Sequence, residues 1–193
     1  MKNRVLAFAV ATSVLTAPAF AQETTTEDNG AGINLGEQVV DGRTVGEEYI
    51  KEEFGDWVHR CVVAAEGEDP CNSYQLLQDA EGNSVAEISI IPIANGGQAV
   101  AGGTIITPLE TLLTRQITLQ IDSAPGRRYP FTFCARGGCV ARVGFTAEDI
   151  ASMKRGASAT LTIVPAGSPD NPVALNVSLT GFTAAYDGLE TDQ

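Results

Sequence analysis

Residues 129–143 read YPFTFCARGGCVARV. Apolar and polar side chains alternate on both sides of Ala135-Arg136-Gly137-Gly138, and a cysteine stands at each end of that turn. Two-residue alternation around a glycine-rich break predicts a β-hairpin. Cys134 and Cys139 then face each other across its neck, within reach of a disulfide.

The rest of the chain carries the same pattern. Runs rich in β-formers predict strands over 57–63, 74–78, 85–91, 99–106, 116–121, 129–134, 139–145, 157–164 and 173–180. Asp79-Ala80-Glu81-Gly82-Asn83 has turn composition, 66–70 reads as a loop, and Pro92 marks a strand end or edge. Asn95-Gly96-Gly97-Gln98 and Gly102-Gly103 read as turn and bulge glycines. Two helices are predicted. Thr44 and Glu47 have capping-box spacing ahead of Tyr49, Ile50 and Phe54, which places one over 45–53, ended by Gly55. Thr146 as N-cap, Asp149 three residues on, and Lys154-Arg155-Gly156 at the far end place the other. Short strands, frequent turns and two short helices define an all-β chain: an antiparallel β-sandwich or barrel-like fold.

The N-terminus specifies a compartment. Lys2 and Arg4, an apolar run over 5–15 and Ala19-Phe20-Ala21 form a secretory signal peptide cut after Ala21. Residues 22–43 are a flexible acidic leader too poor in large apolar groups to offset its ordering entropy. The folded domain is expected over 44–189, with a tail over 190–193. No later run is apolar for long enough to span a bilayer. An exported periplasmic protein follows, with outer-membrane association left open.

Charge narrows the partners. Twelve basic and 24 acidic residues give a net charge of −12, which becomes −14 once Lys2 and Arg4 are removed. Such a surface repels nucleic acid and anionic lipid. The exception is 111–147, where Arg115, Arg127, Arg128, Arg136 and Arg142 face only Asp122. They read either as solvated strand-end arginines or as a docking face, for an acidic partner or for the protein's own acidic N-terminal arm.

Four cysteines in an exported chain imply two bridges. Of three possible pairings, Cys61–Cys71 and Cys134–Cys139 close the shortest loops. A four-thiolate zinc site and a redox pair are the rivals. The first would use closer ligand spacing, and the second a C-x-x-C opening a helix.

Signals for catalysis are weak. His59, the single histidine, shares a strand face with Trp57 and Cys61 and reads as a packed, hydrogen-bonded side chain. G-x-S-x-G, H-E-x-x-H and a phosphate-cradling loop are absent from the sequence. Glu66, Glu68 and Asp69 lack the alternation of a calcium loop. Asn176-Val177-Ser178 falls inside a strand, which argues against glycosylation there.

Several blocks together resemble the invasion-associated locus B family. They are Gly55-Asp56-Trp57 with Cys61; Pro108-Leu109-Glu110-Thr111-Leu112-Leu113 leading to Leu119-Gln120-Ile121-Asp122; Tyr129-Pro130-Phe131-Thr132-Phe133-Cys134 with Gly138-Cys139-Val140-Ala141; and Leu179-Thr180-Gly181-Phe182-Thr183-Ala184-Ala185-Tyr186. They span about Phe54 to Leu189. The resemblance implies an exported, mostly β protein of Gram-negative bacteria, in a family named for a pathogen's factor that promotes entry into red blood cells. It supplies no catalytic residues. It also implies a turn glycine before the Ile117 strand, where this chain has Arg115-Gln116.

The expectation is therefore a non-catalytic binding module, without cofactor or metal, that recognises a protein or envelope component through Arg115, Arg127, Arg128, Arg136 and Arg142. The alternative is a hydrolase acting on an envelope polymer through an unassigned carboxylate pair.

Overall fold

The computed structural model describes residues 36–94 and 97–191. The signal segment, the leader up to residue 35, Asn95-Gly96 of the glycine run and the last two residues lie outside the described part. The described chain starts with a two-stranded ribbon, β1 (Val39–Val40) and β2 (Arg43–Thr44). Then come β3 (Glu48–Phe54), β4 (Trp57–Val62), β5 (Cys71–Gln78), β6 (Ser84–Pro92) and β7 (Ala101–Thr107). A 3-10 turn, Leu113–Arg115, leads to β8 (Ile117–Ile121), β9 (Arg127–Tyr129), β10 (Phe133–Ala135) and β11 (Gly138–Phe145). Helix α1 (Ala147–Arg155), β12 (Ser158–Ile163), β13 (Val173–Ser178) and helix α2 (Phe182–Thr191) complete the order.

Seven strands form one antiparallel sheet in the order β10-β11-β7-β6-β5-β4-β3, and four form a second, β13-β12-β8-β9. Alternation puts Trp57, Leu77, Ile88, Ile90, Ile105, Ala141, Val143 and Phe145 on the inner face of the larger sheet. Ile117, Leu119, Leu161, Leu175 and Val177 meet them from the smaller one. The arrangement is a sandwich, not a closed barrel.

The residue pair expected to open the first helix does make its contact. The Thr44 backbone N–H donates to Glu47 Oε2 at 3.0 Å, and Glu47 N–H to Thr44 O at 2.9 Å. They close a turn with Gly46 at φ 87°, however, and 45–53 is not a helix. Tyr49, Ile50 and Phe54 lie instead on strand β3, paired with β4. A register shift between Ile50 and Glu52 breaks the two-residue period, which is why the apolar spacing imitates a helix. The second helix is instead α2, where Phe182, Ala185, Tyr186 and Leu189 are buried at i, i+3, i+4 and i+7. Helix α1 forms as expected, with the full capping box between Thr146 and Asp149.

Both local disulfides are present, Cys61–Cys71 between β4 and β5 and Cys134–Cys139 at the neck of the β10–β11 hairpin. All four sulfurs are thereby used, which removes the thiolates a zinc site would require. The expected single strand over 129–134 is broken. Residues Arg127–Tyr129 pair with β8 in the small sheet, and Phe133–Ala135 pair with β11 in the large one. Pro130 sits at the break, where a residue without an N–H cannot continue a ladder. The stretch that specifies the hairpin therefore also ties the two sheets together.

The 3-10 turn ends on Gln116 at φ 59°, ψ 172°, backbone that glycine adopts almost alone. This is where the resemblance implies a glycine. Gln116→Gly is expected to stabilise the protein by about 1 kcal/mol, because the strain of about 1–3 kcal/mol it relieves exceeds glycine's entropic cost of about 1 kcal/mol. A urea denaturation midpoint that fails to rise would show that no strain is stored there.

Candidate functional site: an arginine-bearing junction of two sheet edges

All five arginines named from the sequence are exposed, but they do not form one patch. Arg127 is engaged. Its Nη1 donates to Asp149 Oδ2 at 2.8 Å, and that oxygen also accepts from Thr146 N–H and Oγ1–H at 2.9 and 2.8 Å. Arg127 thus extends the cap of α1. Arg142 stands on the outer face of the large sheet, opposite Thr104.

The other three lie on adjoining segments. Arg128 is on β9, the edge of the small sheet, opposite Thr118. Arg136 is at the tip of the β10–β11 hairpin, the edge of the large sheet, inside the ring closed by Cys134–Cys139. Arg115 precedes Ile117, which pairs with Tyr129, the last residue of β9. Among the described residues, Arg115, Arg128, Arg136 and Arg142 make no ion pair. Exposed Leu109, Leu113 and Phe133 lie on the same segments.

A cleft of about 700 Å³ lies beside the Cys61–Cys71 bridge, with Arg43, Tyr49, Lys51, Glu68 and Asp69 among its walls. The sequence draws attention to Glu68 and Asp69 only as part of a loop weighed for calcium, and not to the cleft, because Tyr49 and Asp69 are brought together only by the β3–β4 pairing and the 66–70 loop. The Tyr49 hydroxyl donates to Asp69 Oδ2 at 2.8 Å, the Ala64 N–H to Oδ1 at 2.8 Å, and the Arg43 guanidinium lies 4.2 Å from the Tyr49 ring centre. The Ala64 N–H, then the Tyr49 hydroxyl, hold the Asp69 carboxyl below its usual range, while the same hydrogen bond raises the Tyr49 phenol. Asp69 is kept ionised as a loop clamp, the opposite of what a general acid requires.

His59 is packed as expected. It points inward between Trp57 and Cys61, with Nε2 2.7 Å from Ala185 O and its ring 4.6 Å from that of Phe54. Among the described residues no three His, Cys, Asp or Glu side chains form a cluster able to hold a metal.

On the outer face, the Arg60 guanidinium stacks 3.9 Å over Tyr74, whose hydroxyl donates to Glu87 Oε2 at 2.9 Å. Burial first, and the Glu87 hydrogen bond second, push the Tyr74 phenol up to about 12 from 10.0. A raised folded-state pKa gives stability that is complete below the unfolded value and lost as pH rises through the folded one. Folding stability is thus expected to fall between about pH 10 and pH 12, as Tyr74 ionises in an ultraviolet titration. If Tyr74→Phe leaves the fall in stability and the absorbance step near pH 12 in place, the assignment fails.

Fold and surface together define an antiparallel sandwich with two disulfides between neighbouring strands and exposed arginines on the segments that run between its two sheets. The chain belongs to the invasion associated locus B (IalB) protein family, whose model matches residues 57–190. An invasion protein B homolog of Brucella abortus (strain 2308) is 30% identical over 146 residues, covering 75% of this chain and 82% of the relative. A homolog from Brucella abortus biovar 1 (strain 9-941) matches equally. The crystal structure of invasion associated protein B from Bartonella henselae superposes with a TM-score of 0.61 at 25% identity, covering 72% of this chain and 94% of that one. No helix among the described residues is long and apolar enough to cross a membrane.

Proposed function

We propose that this chain is an exported, periplasmic, non-catalytic binding protein that docks an acidic protein or envelope component at the junction of β9 and β10. The observation that carries the reading is the set Arg115, Arg128 and Arg136: exposed, without carboxylate partners among the described residues, on a chain with twice as many acids as bases. Exposed positive charge without a carboxylate partner suits an external anion. Export is supported by the signal features of residues 1–21, removed to leave the leader 22–43 and the domain, and by two disulfides, which persist in oxidising compartments. The relatives are named for invasion, and a docking role is compatible with that name.

The test is retention of a partner from periplasmic extract by immobilised protein. Arg128→Glu with Arg136→Glu is expected to weaken retention at least about tenfold and to reduce its salt dependence. Arg127 is left intact, because its reversal would disturb the α1 cap. Retention unchanged by the double reversal would remove this junction as the docking face.

A further inference from the structure

Among the described residues only one of the large sheet's two faces is packed against a second layer, although Val140 on the other face is buried by its neighbours. Three rows of outward side chains cross it. Phe133, Val140, Ile106, Glu87 and Leu76 stand in register across β10, β11, β7, β6 and β5. Arg142, Thr104, Ser89, Tyr74, Val58 and Glu53 form the next row, from β11 to β3. Ile91 of β6 and Ile50 opposite Arg60 belong to the third. Four of the exposed large apolar side chains, Ile50, Leu76, Ile91 and Phe133, are each between 45% and 48% exposed on this one face. Both helices pack elsewhere: α1 carries buried Ile150 and Met153, and α2 carries Phe182 and Tyr186, all part of the interior cluster.

We propose that this face is covered by a second copy of the chain, in a face-to-face two-fold dimer. The pattern of charge carries the proposal. The middle row ends in Arg142 on β11 and in Glu53 on β3, and neither has an ion-pair partner among the described residues. A two-fold axis running along the strands between β6 and β5 keeps each row facing itself and exchanges its ends. Arg142 of each copy then meets Glu53 of the other, giving two identical ion pairs around a centre of Ser89 and Tyr74. This is the self-complementarity an isologous interface demands. The size is adequate. Six strands spaced about 4.8 Å apart and three rows about 7 Å apart span roughly 600 Å² per copy. The total of about 1,200 Å² stands at the lower end of specific interfaces. Glu48 of β3 and Glu87 of β6 are already engaged with Arg60, so Glu53 is the carboxylate open to the partner's Arg142.

The proposal does not depend on the docking junction, because Arg142, Glu53 and Leu76 are outside it, although Phe133 shares a hairpin with Arg136. Sedimentation velocity of the purified protein over a micromolar concentration series is expected to show a monomer–dimer equilibrium. Arg142→Glu and Glu53→Arg, each made alone, should raise the dimer dissociation constant at least about tenfold, and their combination in one chain should restore the dimer. Leu76→Glu should abolish it. Because all three side chains are exposed, circular dichroism should show the fold retained. A protein that stays monomeric up to about 100 µM overturns the proposal. So does a dimer untouched by either reversal, or a double variant as dissociated as the single ones.

Discussion

Gly181→Ala is expected to destabilise the protein by about 3 kcal/mol or more, and to leave little of it folded after modest warming. Two turns pass each other at this point. Gly181, at φ 85°, enters α2 while Phe54-Gly55 turns from β3 into β4, and a Cβ on Gly181 would lie 1.7 Å from Phe54 O. No rotamer relieves that clash, because the obstructing atom is backbone. Gly55, at φ 62°, faces Thr180 O from the other side, where a Cβ would lie 3.0 Å away. The Asp56 N–H donates to Thr180 O at 3.2 Å, so separating the turns would also break the bond that joins them. Against a typical net stability of about 5–15 kcal/mol, such a loss is a large share. Gly167→Ala is the control: a Cβ there meets nothing within 4 Å, and the change should be close to neutral. Equal denaturation midpoints for the two variants would contradict the close approach of the turns.

Trp57→Ala is expected to cost about 3–5 kcal/mol. Trp57 is fully buried, its ring centre 5.1 Å from that of Phe182 in edge-on contact, so its loss opens a void between the large sheet and α2. Its Nε1–H also donates to Ser178 O at 2.7 Å across the sandwich. Gln75 completes that clasp. Its Nε2 donates to Ser178 O at 3.0 Å and to Asp56 O at 3.1 Å, while its Oε1 accepts from Ser178 N–H at 2.9 Å. Trp57→Phe separates packing from hydrogen bonding. It keeps most of the volume, and Gln75 still satisfies the Ser178 carbonyl, so the cost should fall to about 1–2 kcal/mol. If the two substitutions proved equally damaging in urea, the bond to Ser178, and not the packing, would be the main support.

Much of this architecture can be read in the residues, for identifiable reasons. The alternation Trp57-His59-Cys61 survives intact because β4 lies inside a regular ladder. Cys134 and Cys139 declare their pairing because only a turn separates them. Thr146 and Asp149 announce α1 because capping is a local interaction. Misreadings occur where local and tertiary signals diverge. The register shift near Lys51 disguised β3, and the Thr44–Glu47 contact that suggested a helix is equally at home in a turn. The spacing of Phe182, Ala185, Tyr186 and Leu189 does encode α2, but Gly181 just before the helix and Gly188 within it obscure it. In the candidate site, the excess of arginine between residues 111 and 147 is plain. How those arginines divide among the junction, the α1 cap and the outer face depends on the break at Pro130, which sends β9 and β10 into different sheets. The Tyr49–Asp69 contact spans 20 residues and has no local signature.

The docking claim is tested most directly in the cell. A photo-crosslinking amino acid placed at residue 115, 128 or 136 samples the junction, and one placed at Thr160 or Asn176 samples exposed positions of the small sheet. The expected result is the same crosslinked partner from the three junction positions and none from the other two. A partner captured from Thr160 or Asn176 and not from the junction would contradict the account.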